Sequence, residues 1–171
     1  MWAPISSKNA QSQVTQRLSL APRLSLTSWN INAFSSRPIS RANFILQHIL
    51  EGPKSPDVIF LQEVTPGVRD SLLGNARVRA AFLATDAEDR TSFENVPFAT
   101  MTLLSNSRFA SRLDSQKEGG GTEGGGKVHA RGCLPRDTPS KYGGDALHVD
   151  ITPPTAPDTV FRLINVHLDS L

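Results

Sequence analysis

One stretch constrains the fold more than any other: Pro56-Asp57-Val58-Ile59-Phe60-Leu61-Gln62-Glu63-Val64. A proline-led apolar run of strand length is a strand buried on both faces, the kind that lies inside a sheet covered on two sides. Its polar end emerges at the mouth of the sheet. Glu63 is thus held rigidly yet near solvent, where a hard cation such as Mg2+ can take a carboxylate oxygen. Taken alone, Gln62-Glu63 reads equally well as the polar end of a buried strand. The segments on either side decide.

Upstream, Arg23 to Ile31 alternates and is rich in β-formers, which predicts a strand over about 23–31. It ends at Trp29-Asn30-Ile31-Asn32, where two amides stand two residues apart and, on an extended chain, point the same way. After a loop, Pro38 opens a helix in which Ile39, Ala42, Ile45, Leu46, Ile49 and Leu50 recur at helical spacing, with Gly52-Pro53 as the stop. His48 lies off that stripe and is read as solvated. Strand, helix and strand with short links imply neighbouring parallel strands with the helix over one face. Their C-terminal ends then share one side, which brings Asn30, Asn32 and Glu63 together where sites form in such sheets.

Downstream, Thr65-Pro66 is a cap with a first-turn proline, so a helix is expected with Val68, Leu72 and Leu73 inward and Gly74-Asn75 as its break. Ala76 to Leu83 is expected to add a second short helical stretch, and Asp86 to Asn95 a polar surface loop. Phe98 to Ser105 alternates as a strand, with Met101 as core filler. Leu113 to Gly144 contains Gly119-Gly120-Gly121 and Gly124-Gly125-Gly126 and reads as a flexible insertion. His129 and Cys133 lie in it without a second pair of ligands, so no metal site is expected there. Asp145 to Thr152 and Thr159 to Leu168 form a hairpin across a proline-rich turn. The second strand of that hairpin delivers His167 at its end. A strand-terminal histidine is ordinarily structural; the two polar strand ends upstream give this one weight.

At 171 residues the chain is most simply one domain. A lone cysteine excludes an internal disulfide and a cysteine-based zinc site. No apolar run has transmembrane length, so no membrane partner is expected. A net charge of +2 is too small to identify a partner. Residues 1–22 read as a tail, disordered or targeting: no acid precedes Glu51, whereas Lys8, Arg17, Arg23, Arg37 and Arg41 do. The expected location is intracellular, nuclear or cytoplasmic, with mitochondrial targeting as the alternative.

Three segments, in this order, resemble motifs of the endonuclease/exonuclease/phosphatase superfamily: Trp29-Asn30-Ile31-Asn32, Pro56 to Glu63, and Val166-His167-Leu168-Asp169-Ser170. The last motif, and the pairing of Trp-Asn with Leu-Gln-Glu-Val, most resemble the tyrosyl-DNA phosphodiesterase-like branch. The resemblance covers about residues 23–171, the glycine-rich insertion apart. It implies an α/β fold: the N-terminal part of a two-sheet, DNase I-like sandwich, a mixed sheet with flanking helices. It also implies roles. Glu63 would be the principal Mg2+ ligand (Mn2+ as substitute), and Asn32, where many members have Asp, a weaker neutral one. Asn30 would orient the metal, its water shell or the scissile phosphate, and His167 would donate to a phosphate oxygen. The implied reaction is metal-assisted hydrolysis of a phosphodiester, with DNA ends as partner.

The family's later segments, Gly-Asp-x-Asn and Ser-Asp-His, are absent; Gly144-Asp145-Ala146-Leu147 begins like the first but lacks its Asn. Those segments supply the water-activating Asp and a transition-state donor, each worth about 10²-fold or more. The chain therefore reads as the N-terminal part of such an enzyme, inactive by itself, with half a sandwich exposing an apolar face. A non-catalytic remnant that binds a partner or nucleic acid is the alternative. Inositol-phosphate phosphatase, RNA deadenylase and sphingomyelinase activities belong to the same fold. Oligomeric state is not legible.

Overall fold

The computed structural model describes residues 23–88, 90–109, 128–131, 146–152 and 158–168. Within them the chain order is β1 (Leu26–Asn30), α1 (Pro38–Glu51), β2 (Val58–Val64), α2 (Pro66–Gly74), α3 (Ala76–Ala81), β3 (Phe82–Ala84), a single 3-10 turn (Thr91–Phe93), β4 (Ala99–Ser105), a helical turn α4 (Asn106–Phe109), β5 (Val128–Arg131), β6 (Ala146–Ile151) and β7 (Phe161–Val166). The tail at 1–22 and most of the glycine-rich stretch lie outside the described residues. Among the described residues no helix is long and apolar enough to cross a membrane.

The strands form two stacked sheets, ordered β1-β2-β4-β3 and β5-β6-β7. As expected, β1 and β2 are parallel, with Asn30 level with Gln62. β4 and β3 add antiparallel, which makes the first sheet mixed. The motif's aspartate serves this register and lies at the far end of β2 from Glu63. Asp57 Oδ2 accepts from Ser25 N at 2.8 Å and Ser25 Oγ at 2.9 Å, pinning the starts of the two strands together.

Alternation along β2 divides the core. Ile59 and Leu61, with Met101 and Leu103 of β4, face the helices, where Ala42, Ile45, Leu46 and Ile49 of α1 and Val68 and Leu72 of α2 close over them. Val58, Phe60 and Leu104 face the second sheet and pack on Val149 and Ile151 of β6. α2 begins as its sequence dictates, with Pro66 in the first turn and Thr65 Oγ1 accepting from Val68 N at 3.2 Å. Asn75 is the junction with α3, its Oδ1 accepting from Arg77 N and Val78 N.

Four expectations change. Phe82 and Leu83 belong to an edge strand and not to a helix, because they pair with Ser105 and Leu104. β4, read as an alternating strand, is buried on both faces along its whole length, because it lies between β2 and β3 with helices on one side and a sheet on the other. The loop after β3 is not wholly superficial: Asp86 and Phe93 are buried, the latter under the Arg69 guanidinium at 5.7 Å. Residues 128–131 of the expected insertion form β5, held by pairing with β6.

The two-layer packing also corrects the expected open apolar face. β7 stacks over β2 and β4, and β6 over β4, so the second sheet covers that face. Among the described residues one edge stays uncovered. The free edges of β1 and β7 lie on the same side, and there Leu26 and Phe161, on the faces that look between the sheets, are 47% and 50% exposed.

Candidate active site

Glu63 owes its position to a break in the β2–β4 ladder. Leu61 pairs with Met101 and Val64 with Ala99, so Gln62 and Glu63 together oppose Thr100 alone. Such a bulge inserts one residue, bends the strand and re-aims a side chain. Here it returns Val64 to the helix-side core and leaves Glu63 at the sheet's C-terminal rim. Glu63 takes a left-handed backbone (φ 54), and Asn32, at the end of the neighbouring strand, does the same (φ 62). For residues other than glycine such conformations are strained and persist only where the surroundings hold them.

The surroundings do hold Glu63. Its Oε1 accepts from Asn30 Nδ2 at 2.8 Å and its Oε2 from Ala33 N at 2.9 Å. Asn30 is itself oriented, since its Oδ1 accepts from Asn32 N at 2.7 Å. Arg41 of α1 donates through Nε to Ile31 O at 2.9 Å and steadies the same turn. His167, just past β7, brings its Nε2 to 3.3 Å from Glu63 Oε1, and both side chains are mostly buried. The His167 ring stands edge-on to Phe98 at 5.4 Å, and Phe98 stands edge-on to the exposed Phe34 at 5.6 Å. His167 Nδ1 is buried with no hydrogen-bond partner.

Three of the four residues singled out from sequence, Asn30, Glu63 and His167, therefore meet, from three strands and both sheets. Asn32 joins through its backbone N–H, while its side chain is exposed. Sequence reading missed Ala33, Phe98 and Asn165. Ala33 contributes only a backbone N–H, which leaves no residue-type signal. Phe98 precedes a strand antiparallel to β2, so only knowledge of that pairing puts it beside Glu63. Asn165 had a signal: a polar residue on the inward face of β7, two positions before His167. It is fully buried between the sheets.

Chemically the arrangement is one carboxylate with both oxygens hydrogen-bonded, an imidazole beside it, and neutral amides around it. Among the described residues no group of three or more His, Cys, Asp or Glu gathers to hold a metal ion.

Two stacked sheets with helices on the outer face of the first, and polar strand ends gathered on one rim, define an α/β sandwich, and the chain shares part of this fold with solved structures of TDP2. Three of these TDP2 structures show the extent of the likeness. Humanised D. rerio TDP2 carrying 14 mutations matches with a TM-score of 0.57 and 20% identity over 86% of this chain and 48% of that one. C. elegans TDP2 matches at 0.57 and 16% over 96% and 43%. D. rerio TDP2 complexed with a single-strand DNA product matches at 0.55 and 20% over 86% and 47%. The chain thus spans less than half the length of each of these structures. No protein-family model and no curated protein matches it.

Proposed function

We propose that this chain carries the cation- and phosphate-binding part of a Mg2+-dependent phosphodiesterase site that acts on DNA ends. The observation that carries the reading is the meeting of Asn30, Glu63 and His167 at one rim, with Glu63 2.8 Å from Asn30 and 3.3 Å from His167. The donor set suits the ion. Mg2+ takes hard oxygen ligands and is commonly held through one or two carboxylates, with water and substrate phosphate completing its shell. Glu63 supplies such a carboxylate, and two of its roughly four acceptor positions are used by protein N–H groups. When bound, the ion neutralises charge on the phosphoryl group and the leaving oxygen. The chain's residues supply the rest. Asn30 and Ala33 fix the carboxylate, and His167 offers an N–H to a phosphate oxygen beside it. The fold shared with a TDP2 structure that holds a single-strand DNA product supports DNA as the ester cut.

By itself the chain is expected to be inactive. Its sequence lacks Gly-Asp-x-Asn and Ser-Asp-His segments, and a general base and a transition-state donor are each worth about 10²-fold or more. A rim with one carboxylate among the described residues also favours a second reading, a non-catalytic domain that binds nucleic acid without cleaving it. Both are tested by titrating Mg2+ into the Trp2→Phe variant and following Trp29, which adjoins Asn30. A saturable change lost in Glu63→Gln supports the metal site; no change in a cooperatively folding protein overturns it. Hydrolysis of a 5′-tyrosyl single-stranded oligonucleotide, lost in Glu63→Ala, would refute the expected inactivity. DNA retention without metal dependence would favour the binding domain.

A further inference from the structure

The bulge that aims Glu63 is fastened by a polar contact in the layer between the sheets. Asn165 of β7 is fully buried between the sheets. Its Nδ2 donates to Leu61 O at 3.2 Å and to Met101 O at 3.1 Å, the two carbonyls of the last residue pair before the ladder breaks. Its Oδ1 accepts from Gln62 Nε2 at 2.7 Å, and Gln62 Nε2 also reaches Ser28 Oγ at 3.0 Å. One amide thus links β7 to β2 and β4 directly and to β1 through Gln62. Both donors and the acceptor of Asn165 are used, as a buried amide requires.

The consequence lies one residue to either side. Gln62 is bonded to Asn165 and immediately precedes Glu63, whose left-handed backbone needs external restraint. His167 follows Asn165 by two residues on the same strand and meets Glu63 from the other sheet. The carboxylate and the imidazole come from different layers, so their separation depends on what fixes one layer against the other at this point. Apolar packing resists separation of the sheets but defines sliding poorly, because it is non-directional. Three directed hydrogen bonds define it.

We propose that Asn165 is a positioning residue, which pins the bulge and thereby sets His167 against the Glu63 carboxylate. It does not reach the rim and is assigned no contact with substrate. Only the metal readout below rests on the function proposed above; the histidine readout does not.

The test compares Asn165→Leu with Val149→Ala. Asn165→Leu keeps the side chain's shape and removes the amide; Val149 is buried in the same inter-sheet layer but has no part in the hydrogen bonds. The first readout is the long-range 1H–15N spectrum of the His167 ring, assigned by the signal absent from His167→Gln. In the unsubstituted protein the ring is held in one environment, its Nε2 against the Glu63 carboxylate and its edge against Phe98. In Asn165→Leu the ring nitrogens are expected to move toward the averaged shifts of an unrestrained imidazole, while Val149→Ala leaves them in place. The second readout is Mn2+ affinity, expected to fall about tenfold or more, as when supporting residues behind metal ligands are replaced.

A folded Asn165→Leu protein with unchanged His167 shifts overturns the proposal. So does a Val149→Ala protein whose shifts move equally, since general loosening would then suffice. If the unsubstituted protein binds no Mn2+, the metal reading fails while the nitrogen shifts still decide the positioning role. If Asn165→Leu does not fold, Gln62→Met, which removes one of the three bonds, takes its place with the same shift expected. Failure of both to fold would make the contact a requirement of the whole fold and overturn the narrower role.

Discussion

Replacing Glu63 by Gln, Ala and Gly separates what its hydrogen bonds contribute from what its backbone costs. The side chain accepts from Asn30 Nδ2 and Ala33 N at 2.8 and 2.9 Å. Bonds to a charged acceptor are worth about 1.5–3 kcal/mol each when buried, and this site is partly solvated, so losing both in Glu63→Ala should cost about 2–4 kcal/mol. Glu63→Gln keeps one acceptor but turns an amide N–H toward a donor, and should fall between Ala and the parent. The backbone term has the opposite sign. A φ of 54 costs a residue with a Cβ roughly 1–2 kcal/mol. Glycine recovers that strain and loses about 0.5–1 kcal/mol through the extra freedom of its unfolded chain. Glu63→Gly should therefore be more stable than Glu63→Ala by about 0.5–1 kcal/mol, a reversal of the usual order of the two residues. Urea unfolding of the three variants at one pH measures this. An alanine variant as stable as the glycine variant, or more so, would refute the claim that the bulge holds Glu63 under strain.

Two further substitutions test the packing that carries the rim. Arg69 is buried and donates through Nε and Nη2 to Asp86 O, through Nη2 also to Ala87 O, and through Nη1 to Asp70. Lysine has no planar fork, so Arg69→Lys should destabilise by roughly 2–4 kcal/mol by chemical denaturation and raise proteolysis around residues 85–88. Met101→Ala opens a cavity on the helix side of β4 and should cost about 2–5 kcal/mol, with a matching fall in melting temperature.

Much of this fold was legible wherever the signal was local. The proline-led run of β2, the apolar stripe of α1 and the Thr65-Pro66 start of α2 each contain their own reason, and each appears where its residues imply. Asn30, Asn32 and Glu63 could be brought together because neighbouring parallel strands end on one side, whereas His167 joined them only through the family resemblance of its motif. What escaped reading depends on partners far away in the chain. Phe82 and Leu83 continue a helical pattern and become strand only because β4 offers a free edge. The bulge at Gln62-Glu63 arises from two residues facing one, Thr100, and no window around Glu63 contains that count. Asn165 carried only the signal of a polar residue on an inward face, and its three partners lie on strands far away in the chain.

The uncovered edge is the remaining place where sequence and packing pull apart, and it yields a test. β7 alternates between residues that look inward, Leu163 and Asn165, and residues that look out, Arg162, Ile164 and Val166. Arg162 is accounted for: Asp150, opposite it on β6, hydrogen-bonds its guanidinium at 2.8 Å and raises its pKa above the ordinary value. Ile164 and Val166 are exposed large aliphatics on a strand that, among the described residues, has a neighbour on one side only. Natural edge strands are ordinarily blunted by charge, proline or a bulge, because an unblunted edge invites another strand. On Phe161–Val166 the one charge, Arg162, is paired with Asp150, and no proline or bulge interrupts the pairing with β6. Placing lysine at both outward positions should lower concentration-dependent light scattering, while changing unfolding free energy by only about 0.5 kcal/mol, as for other exposed sites. If scattering persists in Ile164→Lys/Val166→Lys but falls in Leu26→Thr/Phe161→Thr, association runs through the gap between the sheets, and the strand edge is not the sticky element.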